Sequence, residues 1–472
     1  LTFRELLKAN ADFRRLWTGQ VISEIGDWLN NIAVLALTIQ VAGAGHEGLA
    51  IAIYAIARHL PLFLFGPMAG VVADRFDRRR IMIASDFARA FLALGFILAN
   101  RFLSLSIIYV VGSLLFSVSS FFNAAKRASI PNLTRGTEEL LSANSLSAST
   151  TAATIAVGSA LGGMVATFMG RNTVFVINAL TFLASAEMIR RIRARLQRDA
   201  ETLEQTRRGD AGTRRRGEKE SMATAHSISL AASPRPRVAA SLQSVSASLQ
   251  RIIADFREGL SYVRRVHILS AVFVVACGWG LGNGVARALY SIFGARLGVA
   301  AAQGMVARPT DFGISVLFVA MGLGGVLGAP IARRFNAGSS ETLGSRMGRS
   351  MIFDGIGLLL FSFMPNLWGA AVVLIAREIN FAIWWTAQQT IVMSRTEDRF
   401  AGRVFASYET LTTLAMVSSM LVSGAAADRF GIRPVAGAGG AVIALSGLLW
   451  FLLQHRNMKI KRETQSDSLL EL

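Results

Sequence analysis

Gly70-Val-Val-Ala-Asp74-Arg75-Phe-Asp77-Arg78-Arg79-Arg80 lies at the junction of two apolar runs, near 49–73 and 81–99. Each run is long enough to cross about 30 Å of hydrocarbon as a helix, and the turn between them is rich in arginine. An apolar run, a short basic turn and a second apolar run read as a hairpin that crosses a membrane and returns. Ten more runs of similar character lie near 17–41, 104–125, 145–168, 173–189, 268–290, 312–331, 350–364, 367–393, 404–427 and 434–453. The prediction is an all-α membrane protein with twelve transmembrane helices.

Composition agrees. The 472 residues have a mean hydropathy of +0.45, with 52% hydrophobic and only 17% charged residues. A soluble domain carries roughly 25% charged residues to cover its surface. The net charge of +19 would suit a nucleic-acid binder if it formed one patch. Instead, 17 of the 49 Lys and Arg fall between Arg190 and Arg265, and most of the rest cluster in short loops. That distribution fits a membrane protein with basic cytoplasmic loops, and no nucleic-acid partner is expected. A Walker-type phosphate loop, a nucleophile elbow and a Cys/His metal spacing are all missing from the sequence, so the expectation is no enzyme, no metal and no cofactor. The single cysteine, Cys277, excludes an internal disulfide.

Basic residues also set an orientation. Outside the central stretch, odd-numbered loops carry six: Arg101, Arg171, Arg296, Arg308, Arg429 and Arg433. The termini and the remaining loops carry 22, which places both termini on the cytoplasmic side. The first apolar run is long and lacks a small-residue cleavage site, so it reads as a span and not as a cleavable signal. Residues 1–15 suit a helix on the membrane surface, 16–190 a first six-helix half and 267–454 a second. Between the halves, 191–247 reads as a basic disordered linker and 248–266 as an amphipathic surface helix; 455–472 is a cytoplasmic tail.

A weak repeat supports the division into halves. A shift of 258 places Gly70 over Gly328 and Arg75 over Arg333, and a shift of 261 places Gly163 over Gly424 and Gly170 over Gly431. The repeat therefore equates span two with span eight and span five with span eleven.

The opening stretch resembles the loop 2–3 signature of the major facilitator superfamily, Gly-x-x-x-Asp-Arg-x-Gly-Arg-Arg, with Asp77 in place of the Gly. Asp at that position resembles the enterobactin-exporter-like and macrolide-efflux-like branch. Further segments agree: Leu16-Trp17-x-Gly19-Gln20-x-x-Ser23-x-x-Gly26-Asp27, Asp86-x-x-Arg89, Ile130-Pro131-Asn132-Leu133 with Ala143-Asn144-Ser145, and Gly402-Arg403-Val404-Phe405. The resemblance implies the major facilitator fold, two pseudo-symmetric six-helix halves, in a bacterial inner membrane. Gly70, Asp74, Arg75, Asp77, Arg78 and Arg79, with Asp86 and Arg89, would form a cytoplasmic latch. Gly158, Gly162 and Gly163 resemble the span-five antiporter motif of drug exporters, with Ser159 where that motif has Pro; close helix packing explains them equally well.

Charges inside spans are costly, roughly 2.5 kcal/mol or more each at the bilayer centre on insertion scales, and so mark structure or function. Gln20, Glu24, Asp27 and Asn31 recur at helical spacing on one face. Arg58 lies at a depth similar to Asp27 and suits a charge partner. Glu24 and Asp27 are candidate proton carriers: a dry cavity tightens a carboxylate's hold on its proton, and an arginine loosens it. A static ion pair between spans one and two is the competing reading. Gln20, Asn31, Arg377, Glu378 and Trp384 are candidates for a substrate cavity, whereas Asp354 and Lys126 are expected near the cytoplasmic surface.

By resemblance the chain would be a monomeric secondary transporter, exporting a small amphipathic molecule such as a drug or siderophore in exchange for protons, among membrane lipids. A lipid transporter is one alternative. A non-transporting scaffold or accessory subunit is another.

Overall fold

The computed structural model describes residues 2–194, 196, 254–336 and 340–470. In chain order its helices are α1 (Phe3–Ala9), α2 (Ala11–Ala42), α3 (Glu47–Arg75), α4 (Arg78–Phe102), α5 (Leu105–Leu133), α6 (Gly136–Phe168) and α7 (Arg171–Arg190). They continue with α8 (254–265), α9 (His267–Ala302), α10 (Pro309–Phe335), α11 (Ser340–Phe363), α12 (Leu367–Arg395), α13 (Asp398–Phe430) and α14 (Ile432–Leu470). Most of the sequence-predicted linker, and residues 248–253 of the helix predicted after it, lie outside the described residues.

Among the described residues twelve long helices stand where twelve spans were predicted, and eleven are long and apolar enough to cross a membrane. The exception is α11, where Arg346, Arg349 and Asp354 interrupt the apolar stretch. The outer faces of the bundle are greasy: Phe91, Val372, Val422 and Leu452 are 66–77% exposed. In water such a surface would be unstable, whereas in lipid it is the solvated face.

Helices α2 to α7 form one half, with α2 against α6 and α7, and α5 against α3 and α4. Helices α9 to α14 form the other, with α12 against α10 and α11, and α14 against α9 and α11. Two seams join the halves, α6 on α10 and α3 on α13. In spans these are five on eight and two on eleven; a repeat that equates two with eight and five with eleven turns one seam into the other, so the seams are related by pseudo-symmetry. Both termini lie at one end of the bundle, here called proximal.

The seams close from the distal end to about mid-depth. Gly48 and Gly424 face each other so tightly that a Cβ on either would come within 2.2–2.4 Å of the other's carbonyl oxygen. On the other seam a Cβ at Gly163 would meet Ser315 Oγ at 2.0 Å, and Ser315 donates to the Ser159 carbonyl at 2.7 Å. Gly158 and Gly162 pack instead within their own half, against Ile25, Trp28 and Leu29 of α2. The small-residue motif thus serves two contacts, one inside a half and one between halves.

At the proximal end the segment read as one surface helix is broken at Asn10, whose side chain accepts from Phe13 N–H and so starts α2. Its amide also donates to the Leu133 carbonyl at 2.5 Å and to Glu139 at 2.7 Å. Leu6 is wholly buried with Phe13, Leu16, Met82 and Ile189, so α1 is docked on the first half. Thr2 and Glu5 close a capping box, and the Thr2 backbone N–H holds the Glu5 carboxyl below its usual range.

The Arg-rich turn holds the first half together. Arg78 donates to the carbonyls of Ala73, Ala128 and Leu196, and Arg79 to that of Arg190. Asp77 caps α4, accepting from the N–H of Arg79 at 2.8 Å and of Arg80 at 3.2 Å. Its φ of −57° needs no glycine, which explains how this chain departs from the general signature. Asp77→Ala should therefore cost about 1 kcal/mol and Asp77→Gly a few tenths, readable as ordered shifts in thermal unfolding in detergent. Asp74 is 75% exposed with Arg78 at 3.6 Å, Arg75 is exposed, and a Cβ at Gly70 would meet nothing. Asp86 and Arg89, grouped by sequence with the latch, lie apart from this loop, fully buried.

Candidate functional site

The charged groups inside the bundle fall into two sets. In the first, every charge has a partner. Asp86 pairs with Arg89, whose guanidinium sits over the Phe122 and Phe182 rings at 4.0 and 4.4 Å. Glu24 has Lys126 of α5 at 3.6 Å, accepts from Gln20 at 2.7 Å and from Thr154 at 3.2 Å. Arg377 of α12 pairs with Asp354 of α11 at 2.9 Å, both side chains 3% exposed, and Trp279 donates to the same carboxylate at 3.2 Å.

These pairs correct several sequence readings. Asp354 and Lys126 were expected near the surface, yet both are internal counter-ions. The helix α11 begins ten residues before the predicted span, which carries Asp354 inward. Arg377, Gln20, Asn31 and Trp384 were candidates for the cavity wall, and all are at most 5% exposed. Trp384 is stacked on Trp279 at 4.5 Å between ring centres, so its surface is already used. Its neighbour Trp385 is the more exposed of the two.

The second set has no direct counter-charge. Asp27 stands near the middle of α2, partly exposed, and among the described residues takes part in no hydrogen bond and no ion pair. It lies within electrostatic range of Arg89, Arg58, Glu24 and Asp86. Arg58 does not pair with it directly. Its Nη1 donates to Asn31 Oδ1 at 2.5 Å, and its guanidinium lies over the Phe116 and Trp28 rings at 4.7 and 5.5 Å. Glu378 of α12 is partly exposed and Arg287 of α9 is exposed, and among the described residues neither makes a hydrogen bond or an ion pair.

Arg287 escaped the sequence reading although a signal was present, since it is the only charged residue of the run 268–290. The predicted span ends three residues later, at 290. In fact α9 continues to Ala302, and Arg287 stands near mid-length. It is within electrostatic range of Arg58 and His59 of the first half and of Arg377 and Glu378 of its own. Arg287 therefore lies near charged groups of both halves, Arg58 of the first and Glu378 of the second.

The distal seams are also locked by charge. Arg171 forms a two-pronged bond with Asp311 at 2.8 and 2.9 Å and donates to Gln40 at 2.5 Å. Asp428 accepts from the Gly48 and Leu49 N–H groups at 2.7 and 2.9 Å, at the N-terminus of α3, where a negative charge is favoured. Arg308 donates to the Ala166 carbonyl at 3.1 Å, and Arg296 faces Glu47 at 3.3 Å. Proximally, α8 is clamped to the start of α13 by Arg403 with Asp255 and Glu258, and by Tyr262 stacked on Phe400.

Comparison with known proteins places this geometry in context. Residues 7–216 match a family described as transmembrane secretion effectors. The uncharacterized MFS-type transporter YfiS of Bacillus subtilis (strain 168) is 26% identical over 460 residues, 94% of each chain. The putative bacilysin exporter BacE of the same organism is 30% identical over 191 residues, 40% of this chain and 45% of that one. Macrolide efflux protein A of Streptococcus pyogenes is 31% identical over 74 residues, 16% of this chain and 18% of that one. Among solved structures, the nucleoside transporter NupG aligns with a TM-score of 0.64 at 9% identity, covering 93% of this chain and 99% of that one, a likeness of fold.

Proposed function

We propose, from the premise that this chain is a multi-pass transporter of the major facilitator superfamily, that it exports a small amphipathic molecule in exchange for protons, with Asp27 as the proton carrier. The observation that carries the reading is the isolation of Asp27. Glu24, Asp86 and Asp354 each have a cation in contact; Asp27, which is partly exposed, has none among the described residues, a condition it shares only with Glu378 of the second half among the internal carboxylates described above. A carboxylate already bonded to a fixed cation has little reason to gain and lose a proton during a transport cycle. One that faces a cavity without a fixed partner can exchange a proton for substrate.

The positive-inside distribution supports a cytoplasmic proximal end, and on that reading the structure corresponds to a state closed to the outside. Substrate would enter from the cytoplasm or inner leaflet, and the halves would rock about the seams to release it. Relatives described as an exporter and as an efflux protein support the outward direction.

The test uses purified protein in liposomes with a pH-sensitive dye inside. Lipophilic cations, macrolides, siderophores and amphipathic zwitterions are added to wild type and to Asp27→Asn. Substrate-evoked proton flux that disappears in Asp27→Asn, with substrate binding measured alongside, is the expected result. Undiminished flux in the variant would remove Asp27 from the coupling step.

A further inference from the structure

We propose that a cleft lined by Arg15, Arg79, Arg190, Arg191 and Arg193 at the proximal end holds the phosphate of an anionic phospholipid, whose acyl chains lie on the outer faces of α4 and α7. The site belongs to the first half alone and is independent of substrate, coupling and direction of transport.

The cleft has a volume of about 500 Å³ and is lined by these five arginines and Ile192. Three parts of the chain meet there. The first turns of α2 supply Arg15, the start of α4 supplies Arg79, and the end of α7 with the residues after it supplies the others. Its walls are fixed by contacts. Ile192 is buried in the cluster that contains Phe13, Leu16, Met82 and Ile189. Asp12 accepts from the Arg193 and Ala194 N–H groups at 3.1 and 2.9 Å, and Arg79 donates to the Arg190 carbonyl. The chain beyond α7 is thereby folded back onto the starts of α2 and α4, which gathers arginines distant in sequence around one opening.

The charge there is only partly met. Two carboxylates reach these arginines: Asp12 pairs with Arg15 at 2.6 Å, and Glu187 pairs with Arg190 at 2.6 Å and Arg191 at 2.7 Å. Five arginines against two carboxylates leave a surplus of three positive charges. The Arg193 side chain is exposed and makes no hydrogen bond or ion pair among the described residues. Unmet guanidinium charge in an open cleft suits a phosphate, whose oxygens match the two parallel N–H bonds of the arginine fork.

The surface beside the cleft selects a lipid over a dissolved anion. On α7, Val176, Leu180 and Leu183 share one helical face with Glu187 and Arg190, and all three are exposed. Phe87 and Phe91 are exposed on α4, which packs against α7. Basic cleft and greasy face are thus continuous, as an anionic head with acyl chains requires.

Native mass spectrometry of the full chain in detergent tests this, with titration by dioleoylphosphatidylglycerol, dioleoylphosphatidylcholine or glycerol 3-phosphate. Phosphatidylglycerol should form one adduct at least tenfold tighter than either of the others. Arg193→Gln should weaken it about fivefold, and Arg191→Gln combined with Arg193→Gln tenfold or more, the scale of one or two arginines at a membrane surface. Because the Arg193 side chain has no partner to lose, thermal unfolding of Arg193→Gln without lipid should match wild type. Arg80→Gln removes an equal charge from the start of α4, where that side chain is 89% exposed outside the cleft, and should leave the adduct unchanged. Equal affinity for the two lipids, or equal losses in Arg80→Gln and Arg193→Gln, would mean diffuse surface charge and overturn the proposal. Glycerol 3-phosphate binding as tightly as the lipid would make the occupant a dissolved anion and overturn it too.

Discussion

Asp354→Ala is expected to destabilise the protein by about 3–5 kcal/mol, because it leaves Arg377 buried and uncompensated. Arg377 is held at 2.9 Å by that carboxylate, both side chains are 3% exposed, and the Tyr290 and Trp279 rings close the site around them. Glu378, next in sequence, points elsewhere on the helix and makes no ion pair with Arg377. A double replacement, Asp354→Leu with Arg377→Met, should recover most of the loss, because two apolar residues remove the charge together with its partner. Thermal unfolding in detergent measures both. If the pair instead served in proton transfer, Asp354→Asn would keep stability and lose transport, and the double replacement would be stable yet inactive. A stable, transport-competent double variant would assign the pair to structure alone.

The twelve helices were legible because a bilayer demands long apolar runs, and the boundaries slipped where helices run on past the predicted spans, as from 290 to Ala302. The halves were legible through the spacing of six glycines, two of which, Gly163 and Gly424, stand in the two seams. The partners of the internal charges were not legible. Asp27 and Arg58 share a depth, but depth fixes neither the rotation of a helix nor its neighbour. The structure gives Arg58 to Asn31, Glu24 to Lys126 and Asp354 to Arg377, each across a helix contact that one sequence does not encode locally. Arg287 was missed altogether, although it is the only charged residue of its predicted span, 268–290. Sequence therefore identified which charges matter more readily than which of them are free.

Asp311→Ala should open the distal end, by the following energetics. The Arg171–Asp311 bond joins the two halves, is 7% and 0% exposed on its two sides, and is fixed further by Gln40. In a state open at that end the two helix starts separate and both groups meet water, so the bond stabilises the closed state alone. Removing Asp311 leaves Arg171 buried and unpaired only when the seam is closed, a penalty of about 3 kcal/mol or more. Since each 1.4 kcal/mol is a factor of ten, the ratio of closed to open forms should fall about 100-fold. Ser315→Cys reports it, placed in the seam opposite Gly163 on a background with Cys277→Ser. Labelling by an impermeant thiol reagent from the distal side should be slow with Asp311 present and at least tenfold faster in Asp311→Ala. Exchanging the charges, Arg171→Asp with Asp311→Arg, should slow it again, which general loosening of the fold would not do. Equal labelling in all three would mean that the glycine contacts and Asp428 hold the distal end closed without this bond, and that Arg171 and Asp311 pair only as a consequence.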